Sequence, residues 1–386
     1  MSTVVPDRQF HLASVAVSDA AGVRALFGEV ARISERNAQQ LYGHTDLVDS
    51  PEALHVAHLD RDDTDRRLLV AVAGPAGGAG EEDAPGVPEL AQPAGTVLGW
   101  GQASLPLRDN LHTAELFVEV DPAARRVGVG TALVRALEAQ AREAGRHTLL
   151  SWTTHSEEAD PADPDALTAP TGVGSLRSSD PSAAFALGHG YRLEQTERHS
   201  QLDVPVPAEV LDPLRRRAED AAGGYRVLTW TGPTPPEHRA GMARLHQRMS
   251  VDVPTADLEI GEEVWDVERV VRSDERAVRM GRTVLTAVAQ HVASGELVAY
   301  TLLFCPQEDE AVAWQGDTLV HGEHRGHRLG LLVKVANLDQ LARQRPGTRR
   351  IHTWNAGENQ WMLAINVALG FRRVATEGAW QKRLRS

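Results

Sequence analysis

The sequence predicts a mixed α/β chain in which one α+β unit occurs twice, each copy a central mixed sheet flanked by helices. Three observations carry that prediction. A long segment recurs: "VDPAARRVGVGTALVRALEAQARE" from Val120 and "VHGEHRGHRLGLLVKVANLDQLAR" from Val320 align Arg125 with Arg325 and Gly130 with Gly330. Each segment follows a β-rich run, "ELFVE" or "DTL", and enters a helix with apolar residues at helical spacing. These are Leu133, Leu137 and Ala141 in one copy, and Leu331, Val335 and Leu338 in the other. The copies also keep step afterwards: "LLSW" (149–152) matches "IHTW" (351–354), and "SAAFALGHGY" (182–191) matches "MLAINVALGF" (362–371).

Each copy reads as helix, helix, strands, glycine turn, helix, strand, helix, strand. The offset between copies falls after the glycine turn because the first has a longer insert, residues 155–180. That insert is rich in Pro, Asp and Ser and predicts a mobile surface loop. Residues 74–95, "GPAGGAGEEDAPGVPELAQPAG", predict a long hairpin loop. Residues 207–224 predict a helical linker with a Gly-Gly stop, and a new strand opens at Tyr225. The expected domains are therefore 1–206 and 225–386, joined by 207–224.

Composition narrows the function classes. The 386 residues are enough for two or three domains, and 42% hydrophobic content can fill their cores. No run of about 18 apolar residues exists, so no membrane span is expected. The opening "MSTVVPDRQFHL" has no basic segment before an apolar one, so a signal peptide is not expected. A lone cysteine, Cys305, excludes an internal disulfide and suits a reducing, cytoplasmic setting. Its apolar strand predicts a buried thiol rather than a nucleophile. A formal net charge of −13 argues against a nucleic-acid partner and favours cationic ligands such as amines. A monomer or homodimer is expected.

The glycine turns carry the chemistry. Glycines allow close backbone approach, successive N–H groups point outward where the helix starts, and the helix dipole adds positive potential. The predicted phosphate cradle comprises Arg125, Arg126, Val127, Gly128, Val129, Gly130 and Thr131 in the first copy. In the second it comprises Arg325, Gly326, His327, Arg328, Leu329 and Gly330. His321, His324 and His327 have a spacing that also suits a metal, but arginines compete there and no Cys or second His pair lies nearby, so none is expected. Neither turn has the Gly-x-Gly-x-x-Gly of a dinucleotide site or a Gly-Lys-Ser phosphate loop.

Val120–x4–Arg125–x2–Gly128–x–Gly130 resembles the signature of the GCN5-related N-acetyltransferase (GNAT) superfamily, as does Val320–x4–Arg325–x4–Gly330. "GHGY" and "ALGF" resemble the end of that family's last helix. Both copies are covered, so the whole chain resembles tandem-GNAT proteins. The resemblance implies a splayed central sheet with acetyl-CoA in the splay and its pyrophosphate on the two cradles. Backbone groups of Val118 and Val120, and of Thr318 and Val320, would meet the pantetheine as an added strand. A small amine would attack the thioester directly.

The copies differ in ways that bear on catalysis. Arg328 stands where the first copy has Gly128. The acidic stretch 249–270 offers Asp252, Glu259 and Glu263 as an ammonium-binding rim, or else a solvated loop and helix cap. Asn355, Asn359 and Asn366 fall near the sulfur end that the resemblance implies, with Asn359 assigned to CoA and the other two to catalysis. The family's usual tyrosine, four positions before the closing glycine, is replaced by Ala186 and Asn366. Its strand carboxylate corresponds to Asp317 in the second copy, while Glu115 and Glu119 flank the place in the first. The C-terminal domain is therefore expected to be the catalytic one. A non-catalytic acyl-CoA sensor, or catalysis in the first domain, are the alternatives.

Overall fold

The computed structural model describes residues 10–74, 89–90 and 95–384. The N-terminal residues used for the signal-peptide reading and most of the 74–95 loop lie outside them. The chain forms two compact units: one holds the chain up to Trp152 together with the segment from Gln381 onward, the other holds Thr153–Trp380.

The first unit runs β1 (Phe10–Val15), α1 (Ala21–Tyr42), α2 (Pro51–Leu59), β2 (Thr64–Ala73), β3 (Glu89–Leu90), β4 (Val97–Pro106), β5 (Thr113–Val120), α3 (Val129–Glu143) and β6 (Thr148–His155). Its strands lie in the order β6-β5-β4-β2-β1-β3. Phe27, Val30 and Ile33 on α1 pack against Leu68, Val70, Val72 and Trp100 of the sheet. These α1 positions are one helical face, and the β2 positions alternate, as a one-sided contact requires.

The second unit continues with β7 (Ala166–Thr168), β8 (Ser175–Arg177), α4 (Pro181–Gly188), β9 (Arg192–Asp203), α5 (Ala208–Ala221), β10 (Tyr225–Thr231), α6 (Arg239–Asp252) and α7 (Val267–Arg279). After these come β11 (Arg282–His291), β12 (Leu297–Pro306), β13 (Val312–Val320), α8 (Leu329–Gln344), β14 (Arg350–Ala356), α9 (Gln360–Leu369) and β15 (Arg372–Arg383). Its strand order is β10-β11-β12-β13-β14-β9-β15. The 155–180 insert is not only loop: β7 and β8 pair as a small antiparallel hairpin, and Leu176 is fully buried. The predicted linker helix is α5, whose Ala218 is buried in the core beneath α8.

The compact units divide the chain elsewhere than the repeat does, because β9, which closes the first copy, pairs antiparallel with β14.

Pleat alternation sorts the second core into two layers. On β11 and β12, Leu285, Ala287, Ala289, Ala299, Leu303 and Cys305 face α8. Val284, Val288, Tyr300 and Leu302 face α6 and α7. Cys305 is buried, and burial pushes its thiol pKa up to about 11, so it is a core side chain. Among the described residues, no helix is long and apolar enough to cross a membrane.

Candidate active site

The site begins where β13 leaves both of its neighbours' regular patterns. β13 pairs in parallel with β14 only through Val312, Ala313 and Trp314, after which no pairing is recorded and the strands part. Against β12 the register is Phe304↔Trp314 and Leu303↔Gln315, then Thr301↔Thr318, so β13 carries one extra residue, a β-bulge at Gly316–Asp317. The extra residue flips the pleat. Ala313 faces α8, but beyond the bulge Asp317 and Leu319 face α6 and α7. Gly316 is needed there, since a Cβ would sit 2.6 Å from the Phe304 ring.

The flip brings Asp317 to two partners. Tyr300 on β12 donates its hydroxyl hydrogen to Asp317 Oδ2 at 3.0 Å, and His246 Nδ1 on α6 lies 3.3 Å from the Tyr300 oxygen. A His246 tautomer with hydrogen on Nδ1 satisfies both contacts. Burial pulls the His246 pKa down to about 4, with Arg269 adding to the effect, so the ring is neutral near pH 7. It stacks on Trp265 at 4.4 Å between centroids. Burial, the Asp317 charge and the hydrogen bond to Asp317 hold Tyr300 well above the ordinary phenol range. Asp317 itself is raised by burial, with the Tyr300 hydrogen bond opposing. Its side chain keeps 44% exposure, so that rise strengthens when a ligand excludes water from the cleft.

The glycine turn lies at the other end of β13. Gly326 has φ +89° and Arg328 φ +53°; the first copy has the same two left-handed positions, Arg126 (+66°) and Gly128 (+93°). Both turns therefore share one backbone path, with glycine and arginine exchanged between its two special positions. α8 and α3 begin directly after it with no side-chain cap. Their first amides thus lack the acceptor that Asp266 supplies to α7 or Asp180 to α4. A Cβ at Gly326 or Gly128 would meet nothing within 4 Å, so the concave side is open. This fits an anion held by backbone N–H groups.

Residues 56–163 match the family model described as the acetyltransferase (GNAT) family. A tandem GNAT protein from the clavulanic acid biosynthesis pathway, solved without AcCoA, is 24% identical with a TM-score of 0.69, and the match covers 98% of this chain and 99% of that one. The chain has the tandem GNAT fold. A GCN5-related N-acetyltransferase from Sphaerobacter thermophilus is 18% identical with a TM-score of 0.58, covering 99% and 98% of the two chains. No curated protein matches the sequence.

In the second unit, a cleft of about 240 Å³ opens along the parted strands. Its walls include Asp317 and Thr318 of β13, Asn355 of β14, Asn359 at the start of α9, and Lys334 of α8. Asn359 caps α9, accepting from the Met362 amide at 3.3 Å. Asn366 is buried behind the wall and donates to Asn355 Oδ1 at 2.7 Å, which orients that amide. From the acidic stretch, the cleft takes Met249, Val253 and Pro254 rather than carboxylates. Asp252 is paired with Arg248 at 2.6 Å and Arg325 at 3.4 Å. Glu263 accepts from Trp265 Nε1 at 2.8 Å and pairs with Arg269 at 3.2 Å. Glu259 is not among the walls. Gly330 is buried, and a Cβ there would lie 3.3 Å from Ile365 of α9 and 3.5 Å from Val320 of β13, so its smallness serves the packing of α8 on both.

The first unit has the same parting of strands, with β5 and β6 paired only from Thr113 to Glu115. Its β4–β5 register runs without a bulge, and Phe117 and Trp100 occupy the places of Asp317 and Tyr300. Glu119 there accepts from Trp100 Nε1 at 3.1 Å and from Ser34 Oγ, and burial raises its pKa; burial raises that of Glu115 too. Arg125 is held by Asn37 Oδ1 at 2.6 Å and Gln40 Oε1 at 3.2 Å. Val118 and Val120 stand opposite Gly101 and Gly99 on β4.

Sequence reasoning missed Tyr300, His246 and Lys334. The first two have no local signature, being brought to Asp317 by strand pairing and helix docking. Lys334 did have one: a single lysine within "GLLVKVANL", at the place of Val134 in the first copy.

Proposed function

We propose that the chain is an acetyl-CoA-dependent N-acetyltransferase for a small amine, with the chemistry in the second unit. The observation that carries this is the Asp317–Tyr300–His246 chain at the bulge where β13 and β14 part, a polar relay with no counterpart among the described residues of the first unit. The family model's match to 56–163 favours a second reading, in which the first unit binds CoA or is itself the enzyme.

In the main reading the thioester lies along the freed edge of β13, with its phosphates toward Gly326–Gly330. Amides unpaired by the bulge and the splay polarise the carbonyl. Asp317, with its raised pKa, accepts a proton from the bound ammonium. The neutral amine then attacks; the C–N bond forms, the C–S bond breaks, and the second proton lost by the nitrogen passes through solvent to the leaving thiolate. Tyr300 stays protonated and neutral, holding Asp317 in place, while Asn355 lines the path and is oriented by Asn366. No covalent enzyme intermediate is needed.

The test is thiol release from acetyl-CoA with a panel of amines. Asp317→Asn should lower kcat by about 10²–10⁴, the usual range for a general base, while calorimetry shows CoA still binding. Full turnover in Asp317→Asn, lost instead in a first-unit Glu119→Gln variant, would assign the reaction to the first unit. Saturable CoA binding without turnover on any amine would favour a sensor.

A further inference from the structure

α8 carries a cation that the mechanism above does not use. Lys334 sits between Val333 and Val335, is 2% exposed, and has no hydrogen-bonding or carboxylate partner among the described residues. The other buried polar groups on the same helix are provided for. Asn337 donates to the Leu285 carbonyl at 3.0 Å, and Gln340 to the Trp230 carbonyl at 2.7 Å. Lys334 Nζ lies over the Phe371 ring, 5.8 Å from its centroid. Burial alone draws its pKa down to about 7, with no charged neighbour contributing. The fold does not require a lysine there, because the first copy has Val134, also buried.

Lys334 is nevertheless a wall of the cleft that Asp317 enters. The two reach it from opposite layers, Lys334 from α8 and Asp317 from the α6–α7 side. A buried cation without a counter-ion is unfavourable unless a ligand supplies the missing charge. Asp317 and Glu197 in the same walls disfavour a dianion such as phosphate. One monoanionic group balances one lysine, and a carboxylate on a substrate that also bears an ammonium or thioester end would span the cleft.

We propose that Lys334 is the receptor for a carboxylate on the reacting pair, borne by the acceptor as in an amino acid or by the far end of the acyl group as in a dicarboxylic acyl-CoA. This rests on the acyl-transfer reading of the same cleft and makes it more specific.

Calorimetric titration of the full chain tests it in two arms. One compares amino acids with the amines that remain when the carboxylate is removed; the other compares succinyl-CoA with acetyl-CoA. In one arm the carboxylate ligand should bind at least about tenfold tighter, and Lys334→Met should abolish that preference while leaving the carboxylate-free ligand unchanged. Lys334→Arg should retain part of it. The arm with the preference identifies the source of the carboxylate. Equal binding in both arms, or a preference that survives Lys334→Met, overturns the proposal. Thiol release is read separately. A Lys334-dependent preference without turnover keeps the carboxylate receptor and removes the transferase, whereas turnover without any preference does the reverse.

Discussion

At the scale of single residues, the second unit places several titratable groups where burial controls their protonation. For Lys334 the unfolded chain binds a proton up to about pH 10.5 and the folded chain only to about 7. The unfolded state therefore holds more protons between those values, and stability rises with pH across that window. Lys334→Met should stabilise the protein by a few kcal/mol at pH 7, given about 1.4 kcal/mol for each pH unit of displacement. The gain should shrink to nothing by about pH 10.5, as read by urea midpoints at several pH values. Asp317 behaves oppositely in sign. As a base it works when ionised, so kcat/KM should rise with pH through its pKa. The Tyr300 hydrogen bond favours the charged form, so Tyr300→Phe should move that acid limb to higher pH. An unmoved limb would mean that another group is the base.

At the scale of elements, the turn before α8 keeps Arg328 in a left-handed conformation, φ +53°. A non-glycine residue there costs roughly 1–2 kcal/mol, and Arg328 is exposed, so no packing is lost on removing it. Arg328→Gly should raise the melting temperature, with a stability gain on the order of 1 kcal/mol. Gly326→Val should lower it by a similar or larger amount. If the guanidinium also grips a phosphate, Arg328→Gly should weaken CoA binding while stabilising the empty protein, a split that calorimetry separates from simple relief of strain. The turn and its correspondence in the two copies were legible from the arginines and glycines alone. Only the dihedral angles show that both copies keep the same two left-handed positions, with the glycine moved from one to the other between "RRVGVG" and "RGHRLG".

At the scale of the whole molecule, the closing strands do not stay with their own copies. The segment from Gln381 onward belongs to the first unit, where Lys382 Nζ reaches both Glu138 carboxylate oxygens at 2.7 Å and the Leu384 amide donates to the His147 carbonyl at 2.8 Å. Glu138 is 8% exposed. Deleting the chain from Gln381 leaves that carboxylate without its lysine and should destabilise the first unit by roughly 3 kcal/mol or more. Hydrogen exchange should locate the loss in α3 and β6. Unchanged exchange there would mean that the terminal strand contributes nothing to that unit.

Apart from strand β1 and the β7–β8 hairpin, the sequence by itself determined the duplication, the order of elements, and the arginine–glycine turns. Each is local: helical spacing, turn residues and a repeated motif act over a few positions, and one chain read in order displays them. Only the tertiary structure decided which way Asp317 points. A one-residue bulge reverses every side chain beyond it, and nothing in "QGDTLV" announces where β12 will slip. Only packing turned Lys334 into a buried wall of a cleft, joined Tyr300 and His246 to Asp317, and paired Asp252 and Glu263 with arginines. Several of those outcomes depend on partners far away in sequence, Tyr300 17 positions from Asp317 and Arg325 73 from Asp252, and a charge's meaning depends on whether such a partner arrives.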